Sequence, residues 1–93
     1  MANILVTGGD GLLGTNIIPL LKKEHDTVFH PSHLEMDIEV MEEVKSFIND
    51  DIDMVVHCAA IANVSYGETH PKEIIQTNVM GTVNITLACM EKN

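Results

Sequence analysis

The sequence has few basic residues, few aromatic residues and few cysteines. Its 93 residues hold 5 Lys and Arg against 14 Asp and Glu, which gives a net charge of -9. A phosphate backbone would repel such a chain, so we expect no nucleic-acid partner. The 2 cysteines, Cys58 and Cys89, lie in apolar stretches without metal-finger spacing, and we expect reduced thiols rather than a disulfide scaffold.

Long hydrophobic runs are also absent. No segment approaches the roughly twenty apolar residues that cross a bilayer, and the N-terminus lacks the basic segment of a secretory signal. We therefore expect a soluble, cytoplasmic protein with no membrane partner. A content of 45% hydrophobic and 20% charged residues is typical of a globular protein, and 93 residues are enough for one domain.

Strand and helix signals alternate along the chain. Continuous apolar runs predict buried strands at residues 3–7, 27–30 and 52–58. Apolar residues at helical spacing predict helices at residues 12–23 and 39–49 and from Pro71 to the last residue. The order βαβαβα implies a parallel sheet with flanking helices, so the predicted fold class is α/β, the first half of a doubly wound domain.

Two details of the helices follow from local pattern. Asp37 is a candidate N-cap of the second helix. The last helix has four apolar residues at helical spacing, Ile75, Val79, Val83 and Met90.

A glycine-rich segment joins the first strand to the first helix. Its spaced glycines are either Gly8, Gly11 and Gly14 or Gly9, Gly11 and Gly14. Both spacings provide a tight turn, close backbone approach and free amides at a helix N-terminus, as a pyrophosphate requires. Glycines at such a turn can also serve packing alone, but the βαβ context favours dinucleotide binding.

Residues 7–14, Thr-Gly-Gly-Asp-Gly-Leu-Leu-Gly, resemble the Thr-Gly-Gly-x-Gly-x-x-Gly loop of the extended short-chain dehydrogenase/reductases, the NAD(P)-dependent epimerase/dehydratase superfamily. Asp37-Ile38 is similar to the family's step that receives the adenine amino group, and residues 57–60 are similar to its His-x-Ala-Ala. The resemblance implies that residues 1–93 are the N-terminal part of a Rossmann-like NAD(P)-binding domain. For Asp37, the N-cap role remains the alternative. For the small residues after His57, the alternative is that they serve only to form a tight turn.

The resemblance also implies which residues contact the cofactor. They are Gly8, Gly11, Leu12, Leu13, Gly14, Asp37, Ile38, Ala59, Ala60, Ile61 and Ala62. After the second strand, residues 30–33 read His-Pro-Ser-His, where the family has an Asp or Glu for the adenosine ribose. An NAD(P)(H) cofactor is therefore expected, with NADP favoured over NAD because no carboxylate opposes a 2′-phosphate there.

Residues 58–81 most resemble the dTDP-4-dehydrorhamnose reductases of this family. That implies an oxidoreductase of dTDP-rhamnose biosynthesis, with hydride transfer to a 4-keto-deoxysugar nucleotide that only a full-length protein would bind. The alternatives are a nucleotide-sugar epimerase or dehydratase, and a non-catalytic dinucleotide-binding or regulatory module. The family's Tyr-x-x-x-Lys is missing, since His70 stands four residues after Tyr66. We assign no catalytic residue and no metal ligand, and expect the chain alone to be inactive.

One edge of the predicted sheet has no partner. In a doubly wound order the strand at residues 52–58 lies beside the first strand, and its other edge is open. This edge is apolar and carries no Lys or Pro to protect it. We therefore expect the chain to self-associate through this edge or through the apolar stripe of the last helix.

Overall fold

The computed structural model describes residues 2–25, 27–58, 69 and 71–92. Its strands are β1 (Asn3–Thr7), β2 (Thr27–Phe29) and β3 (Met54–His57). Its α-helices are α1 (Leu12–Glu24), α2 (Met41–Phe47), α3 (Pro71–Ile75) and α4 (Gly81–Lys92), and a π-helical segment, Gln76–Met80, joins α3 to α4. The predicted alternation of strands and helices is therefore confirmed.

The sheet is parallel, with the order β2-β1-β3. The central strand β1 contributes Ile4, Leu5 and Val6, which are completely buried because helices cover both faces of the sheet. Its Ile4 pairs with Val28 of β2 on one side and with Met54 of β3 on the other. The predicted Rossmann-like α/β fold is thus present.

Two apolar clusters hold the layers together. On one face, Ile4 and Val6 pack with Ile18 of α1. On the other face lies a larger cluster, which consists of Leu5, Met36, Ile38, Val44, Ile48, Ile52, Ile85 and Ala88. Each fully buried aliphatic side chain stabilises the fold by about 1.5–3 kcal/mol. Because the larger cluster includes Met36 and Ile38, the same packing that binds α2 and α4 to the sheet also positions residues 36–38.

The N-cap prediction for Asp37 is wrong. Helix α2 begins at Met41 with Val40 at the N-cap position. The Asp37 carboxylate instead accepts a hydrogen bond from the Glu39 N–H at 3.0 Å. An Asp side chain that bonds the backbone two residues on forms a turn of its own, and this turn delays the start of the helix.

The apolar stripe predicted for the last helix lies on its exposed side. Ile75, Val79, Val83 and Met90 are between 40% and 69% exposed. The residues of α4 that enter the core are Ile85 and Ala88, at 5% and 2% exposure. Apolar residues occur on both sides of this helix, so their spacing alone did not indicate which side faces the sheet. Within the described ranges, no helix is long and apolar enough to cross a membrane.

Candidate functional site

A cleft of about 430 Å³ lies at the carboxyl end of the sheet. The loops that follow all three strands contribute to it, as expected for a ligand site of a parallel α/β sheet. Its lining residues are Thr7, Gly8, Gly9, Asp10, Gly11, Pro31, Ser32, His33, Met36, Asp37, Ile38, Glu39, Cys58, Glu73 and Thr77. The glycine loop after β1 and the segment 36–39 thus line the same cleft.

The backbone conformation requires one glycine of this loop, and the packing of α1 requires another. Gly8 has a φ of 68°, which side chains rarely tolerate. A Cβ on Gly14 would lie 2.7 Å from the Gly9 Cα, so the packing of α1 against the loop requires that glycine. A Cβ on Gly11 would meet only the Gly8 carbonyl oxygen, at an ordinary 3.4 Å. The packing of the described residues therefore does not require Gly11, and its bare Cα leaves room for a ligand.

Helix α1 presents its N-terminus to this loop. Gly11 is the N-cap residue and supplies no side-chain capping bond. The hydroxyl of Thr15 donates to the Gly11 carbonyl at 2.8 Å, and the amide of Asn16 donates to the Leu12 carbonyl at 2.6 Å. Because these side chains bond carbonyls, they do not cap the amides of the first turn. Those amides and the positive end of the helix dipole provide the attraction for an anion.

Asp37 and Ile38 are held in place from two helices. The Asp37 N–H donates to the Glu43 carboxylate of α2 at 3.0 Å, and the Asn84 side-chain amide of α4 donates to the Ile38 carbonyl at 2.9 Å. Gly81 lets the helix approach, because a Cβ there would collide with the Ile38 side chain. The wall of the cleft opposite the glycine loop is therefore a fixed surface.

The loop after β2 is closed by a reciprocal pair of bonds. The Ser32 N–H donates to the Glu35 carboxylate at 2.8 Å, and the Glu35 N–H donates to the Ser32 hydroxyl oxygen at 3.2 Å. The bond from the Ser32 N–H lowers the pKa of Glu35 below its usual value. Glu35 therefore stays ionised in moderately acidic solution and maintains the loop that presents Ser32 and His33 to the cleft.

The part of the cleft that the described residues line contains no Lys or Arg to bind phosphate. Its described lining includes the carboxylates of Asp10, Asp37, Glu39 and Glu73. Among the described residues, backbone amides and the α1 dipole are therefore the groups that attract an anionic ligand, against an unfavourable field from these carboxylates. A backbone cradle of this kind fits a pyrophosphate better than it fits an isolated anion, because two linked phosphates meet several amides at once.

The structure brings together several of the residues that the sequence predicted. Gly8, Gly11, Asp37 and Ile38 line the cleft, and Gly14 lies beneath the glycine loop. Leu12 and Leu13 are exposed on the first turn of α1, 86% and 62%, beside the cleft rather than in its lining. The predictions for Ala59, Ala60, Ile61 and Ala62 lie outside the described residues and stay predictions.

Other residues of the site were not predicted. Thr77 lines the cleft and donates its hydroxyl to the Glu39 carboxylate at 3.0 Å, and Asn84 supports Ile38. Both residues belong to the last helical region. The local sequence does not distinguish a polar side chain that supports the cleft from one that is only solvated. Thr7 also lines the cleft, and its place in the Thr-Gly-Gly motif was a signal that could have identified it.

A parallel β2-β1-β3 sheet, a glycine loop between β1 and α1 and a cleft at the carboxyl edge together define a dinucleotide-binding α/β domain. The chain belongs to the NAD dependent epimerase/dehydratase family, whose profile matches residues 4–93. This confirms the resemblance that the glycine loop and the His-x-Ala-Ala segment indicated.

Three similar proteins illustrate the family. A UDP-N-acetylglucosamine 4,6-dehydratase (inverting) of Campylobacter jejuni is 31% identical, over 96% of this chain and 33% of its own length. The crystal structure of a dTDP-4-dehydrorhamnose reductase of Clostridium acetobutylicum is 29% identical with a TM-score of 0.87, over 96% of this chain and 32% of that one. The dTDP-4-dehydrorhamnose reductase of Bacillus anthracis in complex with NADP is 23% identical with a TM-score of 0.86, over 94% and 31%. The chain thus spans about a third of the length of these proteins.

Proposed function

We propose that residues 1–93 are the N-terminal, cofactor-binding part of a nucleotide-sugar oxidoreductase and bind NAD(P)(H) in the cleft beside the glycine loop. The observation that carries this proposal is the contrast between Gly14, which the packing of the described residues requires, and Gly11, which that packing does not require. Gly11 precedes the N-terminus of α1 directly, where a phosphate is stabilised by backbone amides. The proposed cofactor and this site therefore fit each other.

The proposed reaction is hydride transfer to a 4-keto-deoxysugar nucleotide, as in dTDP-4-dehydrorhamnose reductases. The similarity to the Clostridium acetobutylicum reductase supports it. When bound, the nicotinamide supplies the hydride. The residues of this chain bind and orient the cofactor, with the amides of α1 at the pyrophosphate and the Asp37-Ile38 wall at the adenine. An epimerase or dehydratase is the second candidate, which the 31% identity to the Campylobacter jejuni dehydratase favours.

NADP is the proposed form of the cofactor. The loop after β2 contributes Pro31, Ser32 and His33 to the cleft, and none of them is a carboxylate that would repel a 2′-phosphate. Glu35, the nearest acid along the chain, is bound to the Ser32 N–H. The cytoplasm is the proposed location, because a reducing compartment suits the free thiols of Cys58 and Cys89.

Calorimetry with NADPH and NADH tests the cofactor site. We expect the isolated chain to bind NADPH more tightly than NADH, and Gly11→Val to weaken both by at least about tenfold, because the valine side chain would occupy the phosphate position. Leu20→Val is the matched control, because it also introduces a valine, at an exposed position of α1 that is away from the loop. Equal heats for the wild type and Gly11→Val would contradict the proposal.

The chain alone is expected to show no reductase turnover. Proton transfer to the carbonyl oxygen requires a positioned acid, and Tyr66, which lies outside the described residues, has no Lys four residues further on. The measurement is the loss of reduced-nicotinamide absorbance in the presence of a 4-keto nucleotide sugar. Turnover that Tyr66→Phe abolishes would show that this chain contains its own proton donor.

A further inference from the structure

A bridge of hydrogen bonds centred on His57 connects β1 to the last helix. The ring Nδ1 of His57 lies 2.6 Å from the hydroxyl of Thr7, and its Nε2 lies 3.0 Å from the hydroxyl of Thr82. Thr7 is the last residue of β1 and directly precedes Gly8, whereas Thr82 lies in the first turn of α4. Three parts of the fold that are distant in sequence therefore meet at one imidazole.

The neighbours of the two hydroxyls determine which ring nitrogen carries the hydrogen. The Thr82 hydroxyl donates to the Asn78 carbonyl at 2.7 Å, so its oxygen accepts from Nε2–H of His57. With the hydrogen on Nε2, a neutral ring has Nδ1 as an acceptor, to which the Thr7 hydroxyl donates while its oxygen accepts the Cys58 N–H at 3.0 Å. The neutral imidazole with its hydrogen on Nε2 satisfies every one of these donors and acceptors.

We propose that His57 is a positioning residue for dinucleotide binding, which in its neutral Nε2–H form holds Thr7, and with it the glycine loop, in register with Thr82 on α4. This inference rests on the proposed function. Its geometric basis is that Thr7 is buried, lines the cleft and is hydrogen-bonded to two consecutive residues at the end of the neighbouring strand, His57 and Cys58. A shift of Thr7 moves the start of the glycine loop, because Gly8 follows it directly.

Protonation of His57 is expected to disturb this bridge. A charged ring carries a hydrogen on both nitrogens, so Nδ1 no longer accepts from Thr7, and the Thr7 hydroxyl hydrogen must turn away from the ring. The partners that β1 and α4 offer the ring, Thr7 and Thr82, do not titrate, and along β3 the nearest titratable group is the Cys58 thiol. Burial lowers the pKa of His57, and the unfolded chain therefore binds the proton more readily. The contribution of this residue to stability is complete above the ordinary histidine pKa of about 6.5 and decreases as the pH falls below it.

The test compares Thr82→Val with Thr82→Ser. Thr82 is exposed and is absent from the cleft lining that the described residues form. Its hydroxyl bonds both His57 and the Asn78 carbonyl, and Thr82→Ser retains both bonds. NADPH affinity is measured by calorimetry from mildly acidic to neutral pH. We expect the wild type and Thr82→Ser to lose about three- to tenfold in affinity as His57 becomes protonated, and Thr82→Val to bind more weakly at neutral pH with a flatter profile. Thr82→Val with the affinity and the profile of the wild type would overturn the inference.

A second measurement does not depend on the ligand. Nitrogen NMR of the imidazole is expected to show the Nε2–H tautomer, and titration of His57 is expected to move the amide signals of Gly8 and Gly11 in the wild type but less in Thr82→Val. An Nδ1–H tautomer, or glycine signals that do not respond, would overturn the inference. If the wild type binds no dinucleotide while these signals respond as expected, the proposed function fails and the bridge itself stands.

Discussion

Gly14→Ala is expected to destabilise the protein and to abolish dinucleotide binding at the same time. The new Cβ would lie 2.7 Å from the Gly9 Cα and 2.9 Å from the Gly8 carbonyl carbon, and it would overlap the Gly8 carbonyl oxygen. All three are backbone atoms, which have no rotamer with which to move away. Helix α1 must therefore separate from the glycine loop, and overpacking of this kind costs about 1–3 kcal/mol or more. Urea denaturation measures the loss, and calorimetry with NADPH measures the binding.

Gly11→Ala is the matched control for this prediction. Among the described residues, the same methyl group at Gly11 meets only the Gly8 carbonyl oxygen at 3.4 Å, and Gly11 has a φ of -81°, which any residue adopts. Its unfolding midpoint should stay within experimental error of the wild type, or rise slightly because alanine restricts the unfolded chain. An equal loss of stability in the two variants would show that the packing requires both glycines, and would contradict the assignment of Gly11 to ligand binding.

Self-association of the isolated chain is the second prediction with a large effect. Among the described residues, β3 pairs on one edge only, with β1. Met54 of this strand lines a groove together with Met90 of α4, and the helical turns before Met90 carry the exposed Leu87, Val83 and Val79. We call these five residues, each at least 40% exposed, the outer apolar face. None of these five residues carries a charge, and Asp53 is the acidic residue that shares the groove with Met54 and Met90 among the described residues. We propose that a second copy of the chain covers this face, because exposed apolar residues beside an unpaired strand edge favour association.

Leu87→Glu is expected to convert the associated chain to a monomer. The substitution places a carboxylate in the middle of the outer apolar face, and glutamate maintains the helix because its helix propensity is close to that of leucine. Light scattering across a dilution series, at low and high salt, measures the mass. Leu20→Glu is the control, since Leu20 is an exposed helical leucine on α1 instead of α4. A wild type that remains monomeric at high concentration would contradict the prediction.

The local sequence was sufficient for the elements and for the type of site. A strand at residues 3–7 was predicted with its observed bounds, because a continuous apolar run limited by two glycines is a signal within a few residues. The order of strands and helices then implied the parallel sheet, because short right-handed crossovers leave few topologies. The glycine loop indicated an anion site because Gly8, Gly11, Gly14 and the helix that follows are all neighbours in the chain.

The tertiary structure decided whatever depends on residues that are distant in sequence. Ile85 and Ala88 face the core, and Val79 and Val83 do not, because only packing against the sheet and α2 distinguishes the two apolar sides of the last helix. The difference between Gly11 and Gly14 depends on where Gly8 and Gly9 fold back over α1. His57 meets Thr7 across 50 positions and Thr82 across 25, and Asn84 reaches Ile38 across 46. Periodic patterns describe one element at a time, so contacts between elements require the three-dimensional arrangement.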